Sequence, residues 1–130
     1  MARPIRANFV YDDNPAGTEL RAMLTAEFAE RGIESEFIDV QGRSDHASFI
    51  DAGIPTGGTF TGAEETKTED QAAKWGGTAG EAFDVCYHQA CDTVDNIDPA
   101  ALDVNSDIIA DVIWQLAGAD AVAEERAPAA

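Results

Sequence analysis

The stretch NFVYDDNPAGTELRAMLTAEFAERGIESEFIDV, from Asn8 to Val40, decides the fold. Asn8-Phe-Val-Tyr11 is aromatic and β-branched and runs into Asp12-Asp-Asn-Pro15, which has turn and helix-start chemistry, so a strand ends there. Asn14 is placed to cap a helix with Pro15 as its first residue. Leu20, Met23, Leu24 and Phe28 then share one face until Gly32 stops the helix. Glu34 to Val40 follows as a second strand, with Phe37, Ile38 and Val40 as its apolar residues. Strand, helix, strand in this order predicts a right-handed parallel crossover in an α/β domain.

Downstream of Gly42-Arg43, a short helix is expected around Asp45 to Ala52. Ile54 to Phe60 reads as a strand whose glycines let the backbone pass close to a neighbour. Gly62 to Asp84 is polar and Gly-rich, a long loop with a short helix near Gln71 to Trp75, and loops of that length inside compact domains are usually functional or disordered. Asp98-Pro99 repeats the cap-plus-proline signal. Leu102, Ile108, Ile109, Val112, Ile113 and Leu116 then give the strongest helical pattern in the chain. Residues 1–7 are expected as an N-terminal tail outside the domain and 118–130 as a flexible acidic tail, because periodicity stops at Gly118.

With 130 residues the chain makes one domain and can bury a core. Its 45% apolar and 25% charged composition excludes wholesale disorder. Eight Lys and Arg against 25 Asp and Glu leave a net charge of −17, which repels phosphate backbones and anionic headgroups, so neither nucleic acid nor membrane is expected as a partner. No stretch approaches the roughly 20 apolar residues of a bilayer crossing, and no hydrophobic secretion segment follows Met1 to Ala7. A soluble chain without an export signal is the expectation, with a surface suited to high salt or calcium.

Three groups of residues could carry chemistry. Cys86 and Cys91 flank Tyr87-His-Gln-Ala90; they could close a small disulfide loop, remain reduced thiols, or join His88 on zinc, although no second Cys pair completes a thiolate cage. The two histidines are His46 and His88, and a lone histidine beside an apolar stretch is more often a hydrogen-bonded structural residue than a ligand. Asp103 and Asp107 share a helical face that could hold a hard cation such as calcium; the simpler reading is that acids in a first helical turn suit the macrodipole.

Taken together, Gly42-Arg-Ser-Asp-His-Ala47, Gly53-Ile-Pro55, Gly57-Gly58, Phe60-Thr-Gly-Ala63, Lys74-Trp-Gly-Gly-Thr-Ala-Gly80, Ala82-Phe-Asp84, Cys86-Tyr-His88, Cys91-Asp92, Leu102-Asp103 and Asn105-Ser-Asp107 closely resemble the C-terminal half of the bacterial secreted di-zinc aminopeptidases, the leucine aminopeptidase and aminopeptidase Y group. The resemblance runs from about Asn8 to Leu116 with nearly continuous spacing, so residues 8–117 are assigned to it. It implies a mixed, mostly parallel sheet flanked by helices, and a secreted enzyme that uses metal-activated water on peptide N-termini. By resemblance, His88 is a zinc ligand and Tyr87 the hydroxyl that steadies the oxyanion. Arg43 resembles the arginine that contacts substrate, Phe60 a wall of the apolar pocket, Cys86 and Cys91 a family disulfide, and Asp103 and Asp107 calcium ligands of one branch.

The remaining ligands and the general base of that family belong to its N-terminal half, which these residues do not resemble. One imidazole cannot hold a catalytic zinc pair, so this polypeptide is expected to lack catalysis alone. Without the family's N-terminal strands its sheet would have an open edge. A complementing N-terminal chain, or self-association, is the partner this implies.

Overall fold

Phe9, Val10 and Tyr11 form β1 (Phe9–Tyr11), the central strand of a three-stranded sheet in a computed structural model that describes residues 7–126, with side chains to residue 118. Asn14 accepts the Ala16 N–H at 3.0 Å, and with Pro15 supplying a preset φ the chain makes a 3-10 turn (Pro15–Gly17) that runs into α1 (Thr18–Glu30). Gly32, at φ 68°, ends it. β2 (Glu36–Ile38) then pairs parallel to β1, with Phe9 opposite Glu36 and Tyr11 opposite Ile38, as the strand-helix-strand order requires.

The remaining elements are α2 (Ala47–Asp51), β3 (Thr59–Phe60), α3 (Glu69–Trp75), a 3-10 turn (Val94–Asn96) and α4 (Pro99–Arg126). β3 pairs antiparallel to β1, with Phe9 opposite Phe60. The order β2-β1-β3 therefore combines one parallel and one antiparallel pairing in a mixed sheet.

Alternation along β1 sends its side chains into two cores. Val10 meets Leu24 and Phe28 of α1 and Ile108 and Val112 of α4. Phe28 and Ile108 are fully buried, each contributing about 2 kcal/mol through removal of its apolar surface from water. On the opposite face Phe9 packs with Ala7 and Phe83, its ring meeting Trp75 and Phe83 edge-on at 5.2 and 5.4 Å. Ala7, read from the sequence as tail, is fully buried here; residues 1–6 and 127–130 of the two expected tails lie outside the described residues.

Three expectations are corrected. Only Thr59–Phe60 of the Ile54–Phe60 stretch is strand. Gly58 O still accepts the Tyr11 N–H, but upstream of it Asn14 Nδ2 donates to Ile54 O and Thr56 Oγ1, and Pro55 has no N–H to give. The close approach its glycines permit is to Leu20 and the Tyr11 ring. Phe37 points outward, under the Arg21 guanidinium at 5.5 Å, while Val40 beyond the strand is buried. α4 runs past Gly118 to Arg126, since one glycine costs a helix only about 1 kcal/mol and the Ala, Glu and Arg that follow are good helix formers.

Candidate active site

The turns that follow β1 and β2 lie at the carboxyl ends of the parallel pair, where open α/β sheets place their sites. Arg43 stands in the turn after β2, and its Nε donates to Val40 O at 3.1 Å. Its Nη1 donates to Glu64 Oε1 at 2.6 Å and its Nη2 to Glu65 Oε1 at 2.9 Å, carboxylates that follow β3. Those bonds hold the Glu64 carboxyl below the usual carboxylate range, with a further contribution from the nearby His88 charge.

Tyr87 and His88 are carried by a loop fixed from three directions. Cys86 and Cys91 are joined as a disulfide, their Cα atoms 5.3 Å apart, which decides among the alternatives left open by spacing. Asp84 Oδ1 accepts the Cys86 N–H at 2.9 Å, and buried Asn96 donates through Nδ2 to both Asp84 oxygens at 3.1 Å and to Asp92 Oδ1 at 3.0 Å. His88 adopts φ 56°, a left-handed conformation that costs a residue with Cβ about 1 kcal/mol and recurs at functional sites. Its exposed ring lies 4.0 Å from the Tyr87 ring, centroid to centroid.

Phe60 and Tyr87 line one cavity of about 430 Å³. Ala63, Ile97, Ala101 and Leu102 complete its apolar side, and Asp84, Asp92, Asn96 and Asn105 its polar side. A half-enclosed space of this kind has room for an apolar side chain.

Phe60 and Tyr87 meet in this cavity, whereas Arg43 is held apart from it on Glu64 and Glu65, and His88 stands beside Tyr87. His46 is the structural histidine expected of an isolated imidazole, with its Nε2 2.8 Å from Asp13 Oδ2. Asp103 and Asp107 are exposed on α4. That helix begins at Pro99 with Asp98 as its cap, so its first turn holds no acid and the macrodipole reading of this pair does not apply.

A catalytic zinc takes three protein ligands and an open position. His88 supplies one imidazole, Glu64 is committed to Arg43, and Asp13 to Gly42 and His46. Among the described residues no group of three or more His, Cys, Asp or Glu could hold an ion, so they do not by themselves make a zinc or calcium centre.

Asp13, Glu64, Glu65 and Asn96 went unread in the sequence. Arg43 and Glu64 are 21 positions apart in a chain with 25 acids, and no spacing rule singles out a partner across two loops.

The family model for peptidase family M28 matches residues 6–113. Leupeptin-inactivating enzyme 1 of Streptomyces exfoliatus is 50% identical over 117 residues, covering 89% of this chain and 26% of that protein. An aminopeptidase of Pseudomonas aeruginosa is 41% identical over 139 residues, covering 100% and 26%. Leucine aminopeptidase 2 of Trichophyton rubrum is 39% identical over 126 residues, covering 90% and 26%. The chain thus spans about a quarter of the length of the curated relatives it matches.

Proposed function

The chain belongs to peptidase family M28, and on that premise we propose that it is the C-terminal portion of a zinc-dependent aminopeptidase, one that removes apolar N-terminal residues from peptides and is inactive without the rest of its domain. Aminopeptidases of this family are generally metal-dependent. The observation that supports the proposal is the cavity that Phe60 and Tyr87 line together.

In this reading the cavity takes the side chain of the N-terminal residue, and Arg43 contacts the substrate from the turn after β2. The Tyr87 hydroxyl donates to the oxygen on which charge develops, where a fixed donor counts most. His88 is this chain's zinc donor, and the metal, when bound by a complete ligand set, would supply activated water. The other donors come from the complementing N-terminal polypeptide. The uncovered apolar stripe of α4, made by Leu102, Ile109, Ile113 and Leu116, supports such a partner, or a second copy of this chain in its place. Calcium at Asp103 and Asp107 is a separate proposal, resting on their one-turn spacing.

The test is hydrolysis of leucine p-nitroanilide by the purified chain with zinc, alone and mixed with a polypeptide supplying the remainder of an M28 domain. Activity only in the mixture is expected. Turnover by the chain alone overturns its dependence on a complement, and no turnover in any such mixture overturns the enzyme reading.

A further inference from the structure

Asp13 and His46 form a buried polar pair between the turns after β1 and β2. Their side chains are 4% and 10% exposed, and His46 Nε2 donates to Asp13 Oδ2 at 2.8 Å. Asp13 Oδ1 and His46 Nδ1 are buried with no hydrogen-bond partner among the described residues. What the pair specifies is a turn.

Asp13 Oδ2 also accepts the Gly42 N–H at 3.0 Å, across 29 residues of chain. Gln41 and Gly42 are consecutive left-handed residues, at φ 55° and 66°, and Gln41 bears a cost of about 1 kcal/mol for it. The Tyr11 ring lies nearly parallel to the imidazole, 4.8 Å away, and walls it in. Arg43 is the next residue after this turn.

We propose that Asp13 and His46 form a positioning pair: through the Gly42 N–H they hold the Gln41–Gly42 turn, and the turn aims the Arg43 guanidinium toward Glu64 on the His88 side of the site. The chemistry is that of a buried acceptor clamping a strained backbone. Burial pushes the Asp13 carboxyl up, but the Gly42 and His46 bonds outweigh it and bring it below the usual range, so Asp13 serves as an acceptor at neutral pH. The proposal rests on reading Arg43 as the substrate-contacting arginine, but its test needs no catalysis.

The test is hydrogen exchange at the Arg43 Nε–H, which donates to Val40 O, followed by NMR in the full chain. Asp13→Ala and His46→Ala are expected to speed that exchange about tenfold or more, since they release a local clamp. His46→Gln, whose amide can still donate to Asp13, keeps most of the protection. Arg31→Ala, which removes ion pairs to Glu27 and Asp111, lowers Tm and leaves Arg43 exchange unchanged. Unaltered Arg43 exchange in a folded Asp13→Ala protein overturns the proposal. Should Asp13→Ala not fold, Asp13→Leu decides the matter, because it keeps the volume and leaves the Gly42 N–H and His46 Nε2, which both donate to Oδ2, without an acceptor: faster exchange supports the pair and native exchange overturns it. A complemented mixture without peptidase activity counts against the aminopeptidase reading and leaves this result standing.

Discussion

The Arg43 guanidinium donates to the Glu64 carboxylate at 2.6 Å across 21 residues of chain, and to Glu65 at 2.9 Å. One exposed cation thus ties the turn after β2 to the turn after β3, next to the loop that carries Tyr87.

In the complemented assay, Tyr87→Phe is expected to lower kcat on the order of a hundredfold, the usual consequence of losing one donor to a developing oxyanion. Arg43→Ala is expected to lower kcat/KM on the order of tenfold through lost substrate orientation. Steady-state kinetics check both, and an unchanged Tm for either variant separates site effects from folding.

Phe28→Ala is expected to cost about 3–5 kcal/mol and Ile108→Ala about 2–5 kcal/mol, because each vacates a fully buried position in the core between β1, α1 and α4. Trp114→Ser, at a side chain 79% exposed, should change stability by less than about 0.5 kcal/mol. Urea unfolding followed by circular dichroism measures all three.

Reduction of the Cys86–Cys91 disulfide, whose cysteines are five positions apart, is expected to cost about 2 kcal/mol because the closed loop is short. The more telling readout is local. The contact between the Tyr87 and His88 rings should loosen on reduction, seen as averaging of their NMR shifts, while the core signals of Phe28 and Ile108 stay put.

Stability should fall in acid. Burial raises Asp13 and Glu36, but hydrogen bonds from Gly42 and His46 to the first, and from Lys74 and Gln71 to the second, bring both below the ordinary carboxylate range; Arg43 does the same for Glu64. A carboxyl whose folded value is depressed stabilises the fold above its unfolded value, about 4, and that stability is lost as pH drops through the folded values. Tyr11 works in the opposite direction. Burial raises it, so its contribution is present below about 10 and is lost as pH climbs through its folded value. A plot of Tm against pH should therefore be flat through neutrality and fall at both ends, and Asp13→Asn should shrink the acid limb.

Sodium chloride is expected to raise Tm by screening a net charge of −17. At matched ionic strength calcium should add a further few degrees, and Asp103→Asn should abolish that increment. Differential scanning calorimetry checks both, and an equal response to magnesium would remove any calcium role from Asp103 and Asp107.

Much of this fold was legible because its signals are local. Asn14-Pro15 set the helix start, Gly32 its end, and the apolar spacing of Leu24 and Phe28 its buried face. Periodicity marked α4 equally well, but could not tell that Ile108 and Val112 would be covered while Ile109 and Ile113 stayed exposed, because burial depends on what lies opposite. Ile54–Gly58 misread as strand for a similar reason: Ile54 O and Thr56 Oγ1 are claimed by Asn14, about 40 residues upstream. At the site, Tyr87, His88 and the cysteines could be read as a contiguous motif. Asp13, Glu64 and Asn96 could not, since each acts on a partner that only folding brings near.

A Cβ added at Gly17 would sit 1.9 Å from Thr56 O, far inside any tolerable distance. The path of the chain from Ile54 into β3 thus exists by leave of a single missing carbon. In a saturation library scored for soluble expression, position 17 should stand as a blank column: alanine would fail there as completely as tryptophan, whereas Gly32, with open space around it, would tolerate asparagine.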